Sequence, residues 1–179
     1  QQDAASRNSA KFELPPAENA QRTQIMTTKP TYEKALKALG DQGSAIDFGA
    51  GRGFSSEMGM DTYEPFPREG FNPDYTDASA IPSGAYDRLT NLNVLTVVPR
   101  ETRDGIVRDI GRVLAPGGKA IITTRGRDVM AAKGAKGDEP MSIVTSIGTY
   151  QKGFTQPELR EYIQEALGPD FSVKTIQGM

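Results

Sequence analysis

One acid and three glycines at alternate positions, Asp47-x-Gly49-x-Gly51-x-Gly53, are the residues whose types and spacing could hold a ligand. Glycine has no Cβ, takes positive φ without strain and lets a bound group approach the backbone closely. A dinucleotide loop needs Gly-x-Gly-x-x-Gly, and counting from Gly49 its third glycine position falls on Phe54, so the match fails. No Gly-Lys-Ser or Gly-Lys-Thr follows, which excludes a P-loop. Asp47, two residues before the first glycine, would repel a phosphate and suit a ligand bearing an ammonium group. A tight turn with no ligand is the competing reading of the same glycines. The chain has neither histidine nor cysteine. That removes the commonest general base and metal ligand, along with thiol nucleophiles, thiolate metal sites and disulfides, and no metal site is expected.

Strands and helices must bring these groups together. Ala45, Ile46 and Phe48 read as a short buried strand ending at the glycines. Ahead of it, Thr31 can cap a helix running to Leu39, with Tyr32, Ala35, Leu36 and Leu39 at helical spacing and Gly40 as its stop. Residues 54–58 leave room for only a short first crossover helix before a second strand at 61–64, which ends in Glu64, 17 residues after Asp47. Pro65, Pro67, Gly70 and Pro73 then make the next connection mostly loop, with a short third strand near Tyr75. A fourth strand is expected at 88–91. After Pro99, Ile106, Val107, Ile110, Val113 and Leu114 form one apolar helix face, opposite Arg100, Asp104 and Arg108. Pro116-Gly117-Gly118 turns the chain into a fifth strand at 120–124. Thr155-Gln156-Pro157-Glu158 is a capping box that opens a helix through Leu167, and 171–176 reads as a final strand. Such alternation gives an α/β fold, a Rossmann-like doubly wound and mainly parallel sheet in three α/β/α layers, with reduced helices between strands one and three. A ligand then sits at the carboxyl ends of the strands.

S-adenosylmethionine is a ligand of the required kind, with an amino group, a sulfonium and no phosphate. The glycine run resembles the first motif of the class I S-adenosylmethionine-dependent methyltransferases, and further motifs follow in register. They are Asp61-Thr62-Tyr63-Glu64, then Asp77-Ala78-Ser79-Ala80-Ile81-Pro82, then Gly84-Ala85-Tyr86-Asp87, then Asn91-Leu92-Asn93-Val94-Leu95 and Pro116-Gly117-Gly118. The resemblance covers residues 30–178. It implies that S-adenosylmethionine is the cofactor and that Asp47, Gly49, Ala50, Gly51, Gly53, Glu64, Pro65, Asp77, Ala78 and Asn91 bind it. Glu64, at a spacing close to the roughly 20 residues usual for such an acid, would take the ribose hydroxyls. The pattern of 91–95 and 103–118 also looks like methyltransferase domains of phages and mobile elements. Amino-directed DNA methyltransferases carry Asp/Asn-Pro-Pro-aromatic after strand four, and Asn91-Leu92-Asn93-Val94 departs from it. The family normally adds a seventh, antiparallel strand after the sixth. Here either that strand is lacking or the Ile-, Val- and Thr-rich segment 141–150 takes the edge place.

Catalytic residues are not identified by the sequence. Asn91, Arg125 and Arg127 are the candidates, with backbone hydrogen bonding the alternative for Asn91 and an ordinary solvated loop the alternative for the basic stretch Arg125, Arg127, Lys133 and Lys136. The glycine-containing segment 125–148 is longer than a plain connection and is expected to act as a lid carrying substrate contacts, or as a passive insertion with an edge strand. The methyl acceptor is open: small molecule, protein or nucleic acid.

The chain's 179 residues suit one domain, read as 25–179, behind a polar, flexible tail or linker at 1–24. A formal charge of −2 and a pI near 5.3 give no bulk attraction to nucleic acid or to anionic membrane. No apolar run approaches a membrane span, so no membrane partner is expected and the cytoplasm is the default location. The start at Gln1 fits a piece of a longer polypeptide, although processing would look the same. A catalytically inactive methyltransferase-like scaffold and another Rossmann-type nucleotide enzyme are the alternative functions.

Overall fold

The computed structural model describes residues 14–16, 19 and 27–177, so most of the tail read at 1–24 lies outside the described residues. Helix α1 (Lys29–Leu39) starts two residues earlier than its expected cap. Thr28, not Thr31, holds the cap position and Pro30 the first turn, where a missing N–H costs nothing. Strand β1 (Ala45–Phe48) is buried along its whole length. It is followed by a 3-10 helix (Phe54–Met58) and β2 (Asp61–Tyr63). The short helix expected between the first two strands is thus a single tight turn. The third strand near Tyr75 is reduced to one parallel bridge with Tyr63. There Asp74 accepts hydrogen bonds from the N–H and hydroxyl of Thr62 (2.8 and 3.1 Å), pinning the proline-rich loop to β2.

Strand β3 (Tyr86–Leu92) leads through a 3-10 turn (Leu95–Val97) to α2 (Arg100–Val113) and β4 (Leu114–Thr123). The four strands are parallel in the order β2-β1-β3-β4. Pairing jumps from Tyr86–Leu114 to Arg88–Lys119, so Pro116-Gly117-Gly118 bulges out of the ladder, with Gly117 at φ 77°. Alternation along β1 sorts the two faces. Ala45 joins Tyr32, Ala35, Leu39, Leu92 and Ile121 under α1, whereas Ile46 and Phe48 join Leu89, Ile110 and Val113 under α2. One helix on each face makes the three-layer α/β/α arrangement.

The segment read as a glycine-hinged lid is folded. Strands β5 (Gly134–Lys136), β6 (Ser142–Thr145) and β7 (Tyr150–Lys152) form a separate antiparallel sheet, order β5-β6-β7. Residues 141–150 therefore do not take the edge of the parallel sheet. Two of the segment's glycines have a packing reason: a Cβ on Gly134 would run into the Val144 carbonyl and one on Gly137 into the Ser142 side chain. Helix α3 (Gln156–Leu167) follows, its first turn capped by the Thr155 hydroxyl, which accepts from the Glu158 N–H at 3.2 Å. Residues 171–176 are not a strand. Gln164 of α3 takes their backbone groups instead, donating to the Phe171 carbonyl (2.7 Å) and accepting from the Val173 N–H (3.2 Å).

Arg103 fastens the small sheet to the helices. It is only 2 % exposed and pairs with both carboxylate oxygens of Glu139 (2.8 and 3.0 Å). It also donates to the Leu95 and Val98 carbonyls and lies over the rings of Phe154 and Tyr162. Burial works against both charges, and the pairing outweighs it: the Glu139 carboxyl lies below its ordinary value and the Arg103 guanidinium above its own. Replacing Arg103 by alanine would strand a largely buried carboxylate and should cost about 3 kcal/mol of stability in urea unfolding. A loss below about 1 kcal/mol would show that the small sheet is held by something else.

Candidate functional site

A cavity of about 310 Å³ opens at the carboxyl ends of the parallel strands, near the lower end of the roughly 300–1,000 Å³ typical of small-ligand sites. The loop after β1 supplies Gly49, Ala50, Gly51 and Arg52, and the exit of β2 supplies Tyr63, Glu64, Pro65 and Phe66. The turn after β3 adds Asn93, Val94 and Val97 through Pro99, α2 adds Thr102 and Ile106, α1 adds Tyr32, and the small sheet adds Tyr150. Pro15, Pro16 and Asn19 close one side. Asn19 donates its amide to the Gly148 carbonyl at 2.7 Å, linking this edge of the cavity to the small sheet.

The loop is held by its own backbone. Gly49 and Ala50 both donate to the Tyr63 carbonyl (2.8 and 2.9 Å), and Gly53 donates to the Ala50 carbonyl (2.9 Å). Glu64 completes the clasp, accepting from the Gly51 N–H at 2.8 Å through one oxygen and from the Phe66 N–H at 3.0 Å through the other. The acid ending β2 is 4 % exposed and joins the glycine loop to the exit of its own strand. Gly49 is at φ 102°, and a Cβ there would strike Val94 across the cavity floor, so its glycine is required by packing whatever the cavity holds.

Asp47 does not line the cavity. It is fully buried beneath the loop, accepting from the Tyr32 hydroxyl at 2.6 Å and from the Thr90 hydroxyl at 2.8 Å. Burial pushes its carboxyl up to about 6 against the hydroxyl groups around it, which pull the other way. The carboxylate expected to face the amino-acid end of a ligand is turned to Tyr32, whose ring reaches the cavity wall.

The other expected residues divide plainly. Gly49, Ala50, Gly51, Glu64 and Pro65 line the cavity. Gly53 lies under the Phe71 ring, outside the lining. Asp77 and Ala78 also lie outside it: the Asp77 carboxylate accepts from the Ser79 N–H and hydroxyl, closing a local turn. Asn91 is buried in β3, donates to the Phe48 carbonyl at 2.6 Å and stays behind the lining, in keeping with the backbone-bonding alternative. Arg125 is engaged by Asp128 (2.6 Å) and Gln151 (3.3 Å), and neither it nor the exposed Arg127 reaches the cavity. As catalytic candidates, Asn91, Arg125 and Arg127 are not supported by this geometry.

Residues absent from the sequence expectation take part. Asn93 lines the cavity at φ 59°, a conformation asparagine tolerates better than most residues, and its N–H is held by the carbonyl and hydroxyl of Thr123. Its place two positions past Asn91, just beyond the strand end, was the available signal. Arg52, Phe66, Thr102 and Tyr150 carried none. Among the described residues, no group of three metal-ligating side chains exists and no helix is long and apolar enough to cross a membrane.

In the unfolded chain Asp47 titrates near 3.8 and in the folded chain near 6. The folded state thus holds the proton more tightly, so this residue's contribution is complete at pH below about 4 and is lost as pH rises through about 6. The stability of the parent relative to Asp47→Asn should fall by about 2 to 3 kcal/mol across that window. A flat difference would contradict the buried carboxylate.

No protein-family model and no curated protein matches the sequence. Solved structures do match. One is the Burkholderia thailandensis 1,6-didemethyltoxoflavin-N1-methyltransferase, solved with 1,6-didemethyltoxoflavin and S-adenosylhomocysteine bound. It has a TM-score of 0.57 at 16 % identity, over 91 % of this chain and 71 % of that one. An S-adenosylmethionine-dependent methyltransferase of Thermotoga maritima gives 0.54 at 17 %, over 74 % and 67 %. Another from Archaeoglobus fulgidus gives 0.53 at 16 %, over 84 % and 72 %. These bacterial and archaeal proteins lend no support to a phage origin. The chain has the Rossmann-like fold of the S-adenosylmethionine-dependent methyltransferases.

Proposed function

We propose that this chain binds S-adenosylmethionine in the cavity at the strand ends and transfers its methyl group to an acceptor. The observation that carries this reading is the pairing of the glycine loop with the acid of β2 on one cavity wall, in a chain with the methyltransferase fold. The cofactor supplies an electrophilic methyl group on a sulfonium, so the protein's work is to bind, orient and exclude water. Phe48, Tyr63, Phe66 and Ile106 offer apolar wall to a nucleoside base, Glu64 takes the ribose hydroxyls, and Asn93 and Tyr150 face the acceptor. Besides Glu64, no carboxylate lines the cavity among the described residues, so the acceptor reacts through a lone pair it already exposes or loses its proton to water.

A dinucleotide enzyme is disfavoured by the same loop. The N–H groups of Gly49, Ala50, Gly51 and Gly53 are taken by Tyr63, Glu64 and Ala50, leaving those positions no backbone donors for a pyrophosphate.

Methyl transfer from labelled S-adenosylmethionine to small-molecule, protein and nucleic-acid acceptors separates an enzyme from an inert scaffold of the same fold. For the site itself, Glu64→Ala should weaken cofactor binding by about 1.5 to 3 kcal/mol, roughly tenfold or more, in calorimetric titration. Parental affinity in that variant would remove Glu64 from the ribose site.

A further inference from the structure

Arg52 differs from the other charged residues near the cavity in having no side-chain partner among the described residues. It is exposed on the glycine loop, lines the cavity, and no carboxylate among the described residues pairs with it. Arg103 and Arg125, by contrast, are committed to Glu139 and Asp128. Among the described lining residues only Arg52 and Glu64 are charged, and Glu64 is an anion clasped to the loop backbone.

A loop of this kind would ordinarily offer its amides to an anionic ligand group. Here the N–H groups of Gly49, Ala50, Gly51 and Gly53 are already donated within the protein. Among the described residues, a ligand carboxylate brought into this cavity therefore has one cationic partner on its wall, the Arg52 guanidinium. A guanidinium is a planar fork of N–H donors that matches the two oxygens of a carboxylate. We propose that Arg52 binds the α-carboxylate of S-adenosylmethionine and sets the site's preference for a nucleoside carrying an amino-acid chain over one without it. The inference rests on the cofactor reading above and adds to it the residue that anchors the amino-acid end.

The test compares two probes by calorimetric titration. S-adenosylhomocysteine carries the carboxylate; 5′-methylthioadenosine keeps the nucleoside and thioether and lacks the amino-acid chain. Arg52→Gln should weaken S-adenosylhomocysteine roughly tenfold to a hundredfold and leave 5′-methylthioadenosine within about twofold of the parent. Arg52→Lys, which keeps the charge and loses the fork, should fall between parent and Arg52→Gln. Equal weakening of both probes would mean that the loop has been disturbed, and no weakening of either would mean that the carboxylate lies elsewhere; each overturns the proposal. A parent protein that binds neither probe would instead remove the cofactor reading, and this assignment with it.

Discussion

The buried carboxylate of Asp47 is the constraint on which the rest of the site depends. One oxygen is held by Tyr32 of α1 and the other by Thr90 of β3, so a helix and two neighbouring strands meet on a single acid at the end of β1. A carboxylate withdrawn from water in this way is costly, and its hydroxyl partners offset only part of the cost, as its raised pKa shows. The orientation of α1 over the sheet and the position of the Tyr32 ring on the cavity wall follow from it.

Above that buried acid lies a second one with a different task. Glu64 accepts one N–H from the glycine loop and one from the loop leaving β2, a second tie between segments that the Tyr63 carbonyl already joins into one wall. Charge is thereby divided by depth. Asp47 is sealed beneath the wall, Glu64 is set into it, and Arg52 is exposed on it. The opposite wall is mostly apolar, from Val94 through Pro99 to Ile106, and suits a flat base better than a phosphate.

Much of this was legible in the sequence, and what was not has physical causes. The strand-to-glycine transition, the acid ending β2 and the amphipathic α2 all follow from periodicity and turn chemistry. The placement of Asp47 behind the lining was not legible because one of the hydroxyls that hold it there comes from Tyr32, a residue whose helical spacing marked it only as core. Arg103 was overlooked among the charges of α2, although its spacing to Val107 and Ile110 places it on the buried face. The glycines of 126–148 suggested a hinge because sequence cannot distinguish a glycine that bends from one, such as Gly134, that lets two backbones pass closely. Residues 171–176 have strand composition but no strand beside them, and Gln164 takes their backbone groups instead.

The cavity between the glycine loop, the exit of β2 and the turn after β3 is the proposed cofactor site. Backbone amide shifts of isotopically labelled protein, followed as S-adenosylhomocysteine is added, test it most directly. Saturable changes should concentrate in residues 49–54, 63–66 and 93–99, with none of comparable size on adding NAD. Changes confined to the small β5-β6-β7 sheet, or no change at all at millimolar ligand, would contradict that assignment.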